Sequence, residues 1–203
     1  MKKIVLLFGI FLLVFGFNQV QAVQADPIKT MESITTSVQN EIKKNRARIE
    51  KDPKAIYEVV NQVILPHVDF VEMAIWMAGK SAWSKASAAD QASFIKEFKV
   101  LVVRTYATSL NKYNNEIIEF FPMQTSASST RIQISSKIHR LNKEDLRVDY
   151  RLISNNSTWK LYDVIIEGVS ILKGFQAQFS EHIRNNGLKA VTQEIKLHNE
   201  GKS

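Results

Sequence analysis

Apolar residues in the first half of the chain recur at the three- and four-residue spacing of amphipathic helices. The clearest stripe consists of Phe94, Phe98, Leu101, Val102, Tyr106, Leu110 and Tyr113. Another stripe between Ile28 and Ile49 predicts a long helix that begins at Asp26-Pro27. Shorter helices are predicted after Asp52-Pro53, as far as Pro66, and after Asp69. The first half of the chain is therefore expected to be helical.

From Glu116 the apolar residues alternate with polar ones, which predicts strands with one dry and one wet face. The alternation is clearest in residues 129–139 and 145–154, and a last strand is expected from Thr158 to Ile166. Short connections at Asn142–Asp145 and Asn155-Asn156 predict antiparallel pairing. Helices followed by such strands predict the α+β class, with a sheet of about four strands.

The helical period returns after Gly168. A helix is predicted as far as Gly187, and a final helix follows it. Internal repeats and large shifts in composition are absent from the sequence. Residues 26–203 are therefore expected to form a single domain.

The N-terminus has the pattern of a secretory signal peptide. Lys2 and Lys3 precede an uncharged apolar run, Ile4 to Phe17, and small residues follow at Ala22 and Ala25. We expect cleavage after Ala25, so that residues 1–25 are the signal. The apolar run is shorter than the roughly 20 residues of a spanning helix, and no later run is longer. The mature chain is therefore expected to be a soluble periplasmic protein.

Composition narrows the chemistry further. The chain has no cysteine, which excludes disulfides, thiolate metal sites and a cysteine nucleophile. The formal net charge of +7 includes Lys2 and Lys3, so the chain from Asp26 carries +5. Export removes nucleic acid as a partner, and anionic membrane surfaces or acidic proteins remain. A charge that only aids solubility is an equally good interpretation.

Neither a metal site nor a serine nucleophile is indicated by the motifs. His67, His139, His182 and His198 lack the spacing of metal ligands and are expected to be structural. Gly168-Val-Ser170 lacks the second glycine of a nucleophile elbow, because position 172 is leucine. Ser170 is therefore expected to cap the following helix.

Carboxylates leave one catalytic alternative open, because a glycoside hydrolase needs only two of them at a suitable distance. The candidates are Asp145, Asp149, Asp163 and Glu167. Asp149 lies between Arg147 and Arg151 on the polar strand face, where a salt bridge is the simpler interpretation. The wide apolar stripes have two interpretations on composition alone: they pack against each other, or they enclose an apolar ligand.

Several separated motifs resemble the MlaC family, the soluble periplasmic phospholipid carriers of the Mla pathway, also called toluene-tolerance auxiliary components of an ABC transporter. These motifs are ILPHVDF from Ile64 to Phe70, the spacing of Gly79, Trp83, Gln91, Phe94 and Phe98, RTYATSLNKY from Arg104 to Tyr113, and WKLYDVIIEGVSILKGFQAQF from Trp159 to Phe179. The resemblance covers nearly all of the chain after the signal.

The resemblance implies an antiparallel sheet related to the nuclear-transport-factor-2-like type, wrapped by helices that enclose an apolar cavity for acyl chains. It implies a monomer without enzymatic activity or cofactor, whose cargo is phospholipid. The implied partners are an outer-membrane lipoprotein and porin complex and an inner-membrane ABC transporter with an MCE-domain subunit. Transfer between them would maintain the lipid asymmetry of the outer membrane.

We expect two sets of functional residues. The predicted cavity lining is Val68, Phe70, Met73, Met77, Leu101, Tyr106, Ile134, Val148, Tyr150, Val164, Ile166 and Val169. Arg147 and Arg151, with Lys137 or Lys160, are predicted to dock acidic partners. Two other functions stay open: a secreted enzyme that acts on a hydrophobic substrate with Asp163 as base, and a transporter adaptor that holds no lipid.

Overall fold

The computed structural model describes residues 25–113, 115–123, 129–155 and 158–202. These ranges contain seven α-helices and one five-stranded antiparallel sheet. The predicted α+β class is confirmed, with five strands in place of about four. The predicted signal peptide lies outside the described residues except for Ala25, and so does Asn156 in the second predicted connection.

Helices form most of the chain before the sheet, and one long helix follows it. The α-helices are α1 (Pro27–Lys44), α2 (Arg46–Lys51), α3 (Ile56–Val59), α4 (Phe70–Ala78), α5 (Lys80–Lys85), α6 (Ala88–Tyr106) and α7 (Ile171–Asn199). Tighter 3₁₀ turns span Pro53–Ala55, Leu65–His67 and Ala107–Lys112, and a wide π turn spans Val60–Ile64.

Side-chain caps fix the predicted helix starts. The Asp26 carboxylate accepts hydrogen bonds from backbone N–H groups in the first turn of α1. At α4, Asp69 Oδ1 accepts from the N–H of Glu72 at 2.9 Å, and at α6, Ser87 Oγ accepts from the N–H of Asp90 at 3.1 Å. Each cap satisfies a donor that the helix itself leaves unpaired.

The helix predicted from Asp52-Pro53 to Pro66 is not regular. It begins as a 3₁₀ turn, passes through α3, widens into the π turn at Val60–Ile64, and ends in a second 3₁₀ turn. Pro66 lacks an N–H group and its ring crowds the preceding turn, so the α-helical ladder does not continue through it. The change of pitch leaves Val60, Ile64 and Leu65 on the wall of the cavity described below.

The five strands pair in chain order with every neighbour antiparallel. They are β1 (Ile117–Phe120), β2 (Arg131–His139), β3 (Leu146–Asn155), β4 (Thr158–Ile166) and β5 (Val169–Ser170). In the centre of the sheet Ile134 lies opposite Tyr150, which lies opposite Val164. These three residues therefore share one face. The predicted connection Asn142–Asp145 does join β2 to β3.

Three apolar clusters make up the core. One joins α4, α6 and α7, where the ring centroids of Phe98 and Phe175 lie 5.3 Å apart at a near-perpendicular angle. A second joins the apolar sheet face to Met31 of α1, and the third joins α1, α2 and α3 to Ala107. The clusters meet around a space that the side chains do not fill.

Helix α7 is interrupted where the sequence predicted a stop. Gly187 has φ 80° and ψ 170°, which is outside the helical region, and a second helical segment continues to Asn199. Over the residues that the structure describes, none of the helices has the length and apolar character needed to cross a membrane.

Candidate functional site: an apolar cavity

A cavity of about 580 Å³ lies between α1, the end of α6 and the apolar face of the sheet. Ligand pockets in proteins commonly have volumes of about 300–1,000 Å³. Helix α1 contributes Met31, Ile34 and Val38 to its wall, and the sheet contributes Tyr150 and Val164. Most side chains on the wall are apolar, so the interior suits an apolar ligand.

Six of the twelve predicted lining residues lie on the wall of this cavity. They are Val68, Phe70, Met73, Tyr106, Tyr150 and Val164. The segment around Val68 is held against the sheet, because the N–H of Asp69 donates to the carbonyl of Leu161 at 2.8 Å. The motif from Ile64 to Phe70 therefore joins the helical layer to β4 at the cavity.

Four other predicted residues are buried away from the wall. Met77 and Leu101 pack in the cluster of α4, α6 and α7, on helix sides that meet other helices. Ile134 and Val148 share the apolar sheet face and its core cluster with Tyr150, but unlike Tyr150 they do not lie on the cavity wall. Strand alternation selects the correct face, and the position of α1 decides which part of that face stays open.

The last two predicted lining residues are exposed. Ile166 ends β4 and Val169 begins β5, on either side of the tight turn at Glu167-Gly168. Val169 is 69% exposed and Ile166 is 36% exposed. Because the turn is at the end of the sheet, these side chains extend past the helices that would cover them.

Sequence reasoning missed the cavity residues contributed by α1 and by the irregular segment after α3. Ile34 and Val38 belong to the predicted α1 stripe, and Val60 belongs to the stripe of the helix predicted after Asp52-Pro53. Ile64 was identified only as the start of the ILPHVDF motif. The stripes identified the inward face of each helix. They contain no signal for the difference between a packed neighbour and an open space.

Asp163 is a buried carboxylate at the junction of β4 and α7. It is 2% exposed, and its Oδ2 accepts hydrogen bonds from Ser170 Oγ at 2.7 Å and from Arg151 Nη1 at 3.1 Å. Its Oδ1 accepts from the N–H of Leu172 at 3.1 Å. Ser170 Oγ in turn accepts from the N–H of Lys173, which confirms its predicted cap. This carboxylate is anchored by three donors at the start of a helix.

The two predicted docking arginines differ in environment. The Arg151 side chain is 29% exposed and pairs with buried Asp163, so its first role is internal. Arg147 is 64% exposed, and its Nε lies 3.4 Å from Asp149 Oδ1. The Lys160 ammonium donates to the carbonyl of Pro66 at 2.5 Å, which leaves it less suited to docking.

The cavity opens where its wall residues are exposed. Ser109 and Lys112 lie there on the 3₁₀ turn after α6, and Lys143 lies on the connection between β2 and β3. Arg140 and Glu116 also belong to this part of the wall. We call these five residues the mouth. Charged groups are thus concentrated among the exposed residues of the wall, as an amphiphilic ligand would require.

The tyrosines of the cavity have perturbed acidity. Burial raises the pKa of Tyr106 and of Tyr150 above the ordinary value of 10.0. For Tyr113 next to the mouth, burial raises the pKa first and the Glu116 carboxylate adds to the effect. These hydroxyls are neutral at physiological pH and add no charge to the wall.

The histidines do not form a common site. His139 lies 3.0 Å from Glu119 and 3.2 Å from Asp145, and His182 pairs with Glu194. Within the described ranges, groups of three or more side chains able to hold a metal ion are absent.

The fold and the cavity together define a class of protein. It is an α+β protein in which helices wrap around one antiparallel sheet and enclose an apolar cavity with a charged mouth. A profile of the MlaC protein family matches residues 32–197, so the chain belongs to the MlaC family. This result confirms the resemblance that the separated motifs indicated.

Two characterised relatives and one solved structure are similar over most of the chain. Toluene tolerance protein ttg2D of Pseudomonas putida is 25% identical over 88% of this chain and 83% of its own length. The intermembrane phospholipid transport system binding protein MlaC of Haemophilus influenzae is 24% identical over 85% of this chain and 82% of its own. A phospholipid-binding protein of Ralstonia solanacearum, solved with a phospholipid, has a TM-score of 0.78 and 26% identity over 88% of this chain and 99% of its own.

Proposed function

We propose that this protein is a soluble, non-enzymatic periplasmic carrier that binds the acyl chains of a phospholipid in its cavity. The observation that supports the proposal most directly is the cavity of about 580 Å³ with an apolar wall and a charged mouth. An amphiphile fits such a site in one orientation, with its tails inside and its phosphate at the opening.

The energetics of lipid transfer explain why a carrier needs this shape. Two acyl chains contain about 30 methylenes, and each exposed methylene costs about 0.8 kcal/mol, so bare transfer through water would cost on the order of 20 kcal/mol. A dry cavity removes most of that cost. It needs no catalytic group, which agrees with the structural contacts of Asp163.

The relatives support the same ligand. The Ralstonia solanacearum protein holds a phospholipid, and the Haemophilus influenzae relative is named as a component of an intermembrane phospholipid transport system. Phospholipid is therefore the proposed cargo, with no further cofactor.

The proposal also includes the partners of the protein and its location in the periplasm. From the family resemblance and the predicted signal peptide, the protein would exchange lipid with an outer-membrane lipoprotein and porin complex and with an inner-membrane ABC transporter that has an MCE-domain subunit. This exchange would maintain outer-membrane lipid asymmetry, and the carrier would act as a monomer.

A pair of tryptophan substitutions tests the cavity. Val164→Trp places a large ring on the wall, whereas Val169→Trp places the same ring on an exposed strand outside it. Native mass spectrometry after expression should detect a two-chain phospholipid on wild type and on V169W, and a strongly reduced amount on V164W. Equal lipid occupancy in the two folded variants would contradict binding in this cavity.

The docking role of Arg147 also stays a proposal. Because Arg151 pairs with buried Asp163, the informative variant is Arg147→Glu alone. We expect R147E to weaken binding of the folded protein to an acidic partner in low salt, and also to lower the melting temperature, because it leaves the buried Asp149 carboxylate without its cation. If R147E bound the partner with the wild-type affinity across a salt titration, Arg147 would not be part of the docking surface.

A further inference from the structure

Three cationic side chains lie on the wall of the cavity at its mouth. Lys112 comes from the 3₁₀ turn after α6, and Arg140 and Lys143 come from the connection between β2 and β3. They approach the opening from two segments that are far apart in sequence. We call them the mouth cations.

The turn between β2 and β3 brings two of these cations together. The N–H of Lys143 donates to the carbonyl of Arg140 at 3.4 Å, and Asn142 between them has φ 57°, a conformation that asparagine tolerates in tight turns. Residues joined in this way lie within about 7 Å at their Cα atoms. Arg140 and Lys143 are therefore neighbours through the backbone itself.

The guanidinium of Arg140 is held in a fixed orientation. Its Nε and Nη2 both donate to the carbonyl of Glu144, at 2.8 Å and 2.5 Å. A guanidinium has five N–H groups, so three remain for an anion. Such an arginine loses little conformational entropy when it binds an oxyanion.

The opposite side of the mouth is anchored as well. Asn111 Nδ2 donates to the carbonyl of Pro53 at 3.1 Å, and Arg46 Nη2 donates to the carbonyl of Tyr113 at 2.5 Å. These bonds flank Lys112 on both sides in sequence. The ammonium of Lys112 therefore projects from a segment whose backbone is fixed to the helices before it.

Acidic groups near the mouth are fewer than its cations or already have other partners. Asp145 lies 3.9 Å from Lys137 and 3.2 Å from His139, and Glu119 lies 3.0 Å from His139. Glu116 belongs to the mouth itself, and buried Asp163 on the wall pairs with Arg151. Counting Glu116 and the exposed Glu144 carboxylate beside Lys143, three cations stand against two carboxylates, which leaves a net positive charge at the opening.

We propose that Lys112, Arg140 and Lys143 hold the phosphodiester group of the bound phospholipid. This inference rests on the proposed function, because tails inside the cavity place the phosphate at the mouth. Oxyanions bind strongly to such cations through charge-assisted hydrogen bonds. Because the phosphate is common to all phospholipids, the site accepts each of them, and the remaining positive potential favours lipids whose head group adds no compensating positive charge.

A competition experiment tests this site. Delipidated protein is mixed with vesicles of equal phosphatidylglycerol and phosphatidylethanolamine, and the bound lipids are quantified by mass spectrometry. In about 0.1 M salt we expect wild type to enrich phosphatidylglycerol about threefold, and in about 1 M salt we expect the preference to disappear. The triple variant K112Q/R140Q/K143Q should bind less lipid and show no preference.

The matched control is K51Q/K96Q/K173Q, which removes the same charge from exposed lysines outside the mouth. It should keep the wild-type preference. If the mouth variant matched wild type in amount and composition of lipid, the phosphate site would be wrong and the carrier function would stand. If wild type itself took up no phospholipid, the carrier function would fail.

Free phosphate is distinguished from a lipid phosphate in a separate arm. Millimolar inorganic phosphate replaces chloride at constant ionic strength. The lipid preference of wild type should stay unchanged, because the anchored tails hold the lipid phosphate in place. Loss of that preference without loss of bound lipid would indicate a site for the free anion and overturn the assignment to lipid.

Discussion

Asp163 shows how one residue joins the sheet to the last helix. Its carboxylate accepts from Arg151 on β3, from Ser170 and from the first turn of α7, and it is almost fully buried. A buried carboxylate is stable only when such donors replace water. The three contacts therefore give this acid a structural role beside the apolar cavity.

Asp163→Asn should destabilise the protein by about 3 kcal/mol, because it leaves Arg151 without its charged partner in a largely buried position. Urea unfolding of D163N, R151M and the double variant measures this effect. The double variant should lose less free energy of unfolding than the two single variants lose together. Folded D163N should still bind phospholipid. A variant as stable as wild type would contradict the structural role of this pair.

His139 is a partly exposed residue whose pKa depends on the strands around it. Its hydrogen bond with Glu119 raises the pKa above 6.5, and Asp145 adds to the increase. Because the folded pKa lies above the unfolded one, the histidine stabilises the fold below pH 6.5, and this contribution is lost as pH rises through the folded pKa.

His139→Gln should therefore lower the melting temperature relative to wild type between about pH 5 and 6, and have little effect near pH 8. His67→Gln provides the opposite control. Burial, followed by the charge of Lys160, lowers the pKa of His67, so wild type loses stability as pH falls below 6.5 and H67Q should not. The same sign of pH dependence in both variants would contradict this interpretation.

At the scale of elements, α7 depends on one glycine for its path. Gly187 has φ 80° and ψ 170°, a conformation that residues with a Cβ atom rarely adopt, and an added Cβ would meet no other atom within 4 Å. The requirement is therefore conformational. The interruption redirects the chain so that Leu188 and Val191 pack on the helical cluster.

Gly187→Ala should cost about 1–3 kcal/mol in the free energy of unfolding. Gly174→Ala is the matched control in the same helix, where the backbone is helical and the added Cβ also meets open space. G174A should stabilise the protein by about 0.5–1 kcal/mol. Chemical denaturation of both variants measures their free energies of unfolding. Equal changes in G187A and G174A would contradict a special conformational requirement at position 187.

Local signals predicted most of the elements. The helix starts at Asp26 and Asp69 were recognisable in the sequence, because a cap acts within four residues, and the observed caps confirm them. The path after Asp52 was not predictable in the same way. Its mixture of 3₁₀, α and π turns depends on Pro66 and on how the surrounding helices pack against this segment. Packing between elements that are distant in sequence is not visible in a local pattern.

At the scale of the whole molecule, the cavity is a cost that the bound lipid would offset. Empty apolar space destabilises a protein because the wall loses contacts on one side. A ligand that binds only the folded state raises stability by mass action. The protein should therefore be more stable with phospholipid bound than empty.

Organic extraction followed by refolding should lower the melting temperature of wild type by several degrees, at about 2–4 °C for each kcal/mol lost. Addition of phospholipid vesicles should restore it. Val164→Trp, which occupies part of the cavity, should show a smaller difference between its extracted and lipid-treated forms. Identical melting of loaded and extracted wild type would contradict the proposal that lipid fills this space.

The sequence by itself determined the fold class, the inward face of the main helices and of the central strands, and membership of the MlaC family. These properties depend on periodicity, on caps and on motifs, all of which are local or are retained as patterns along the chain. Tyr150 and Val164 accordingly lie on the inward face of the sheet, at the cavity wall.

Only the tertiary structure decided which apolar residues border the cavity and which fill the core. Ile134 and Tyr150 lie opposite each other on the same sheet face, yet only Tyr150 lies on the cavity wall. It also decided that Arg151 pairs with Asp163 and that three cations meet at the mouth. The physical reason is that an open space and a long-range ion pair depend on the relative placement of distant elements, which the pattern within any one element does not specify.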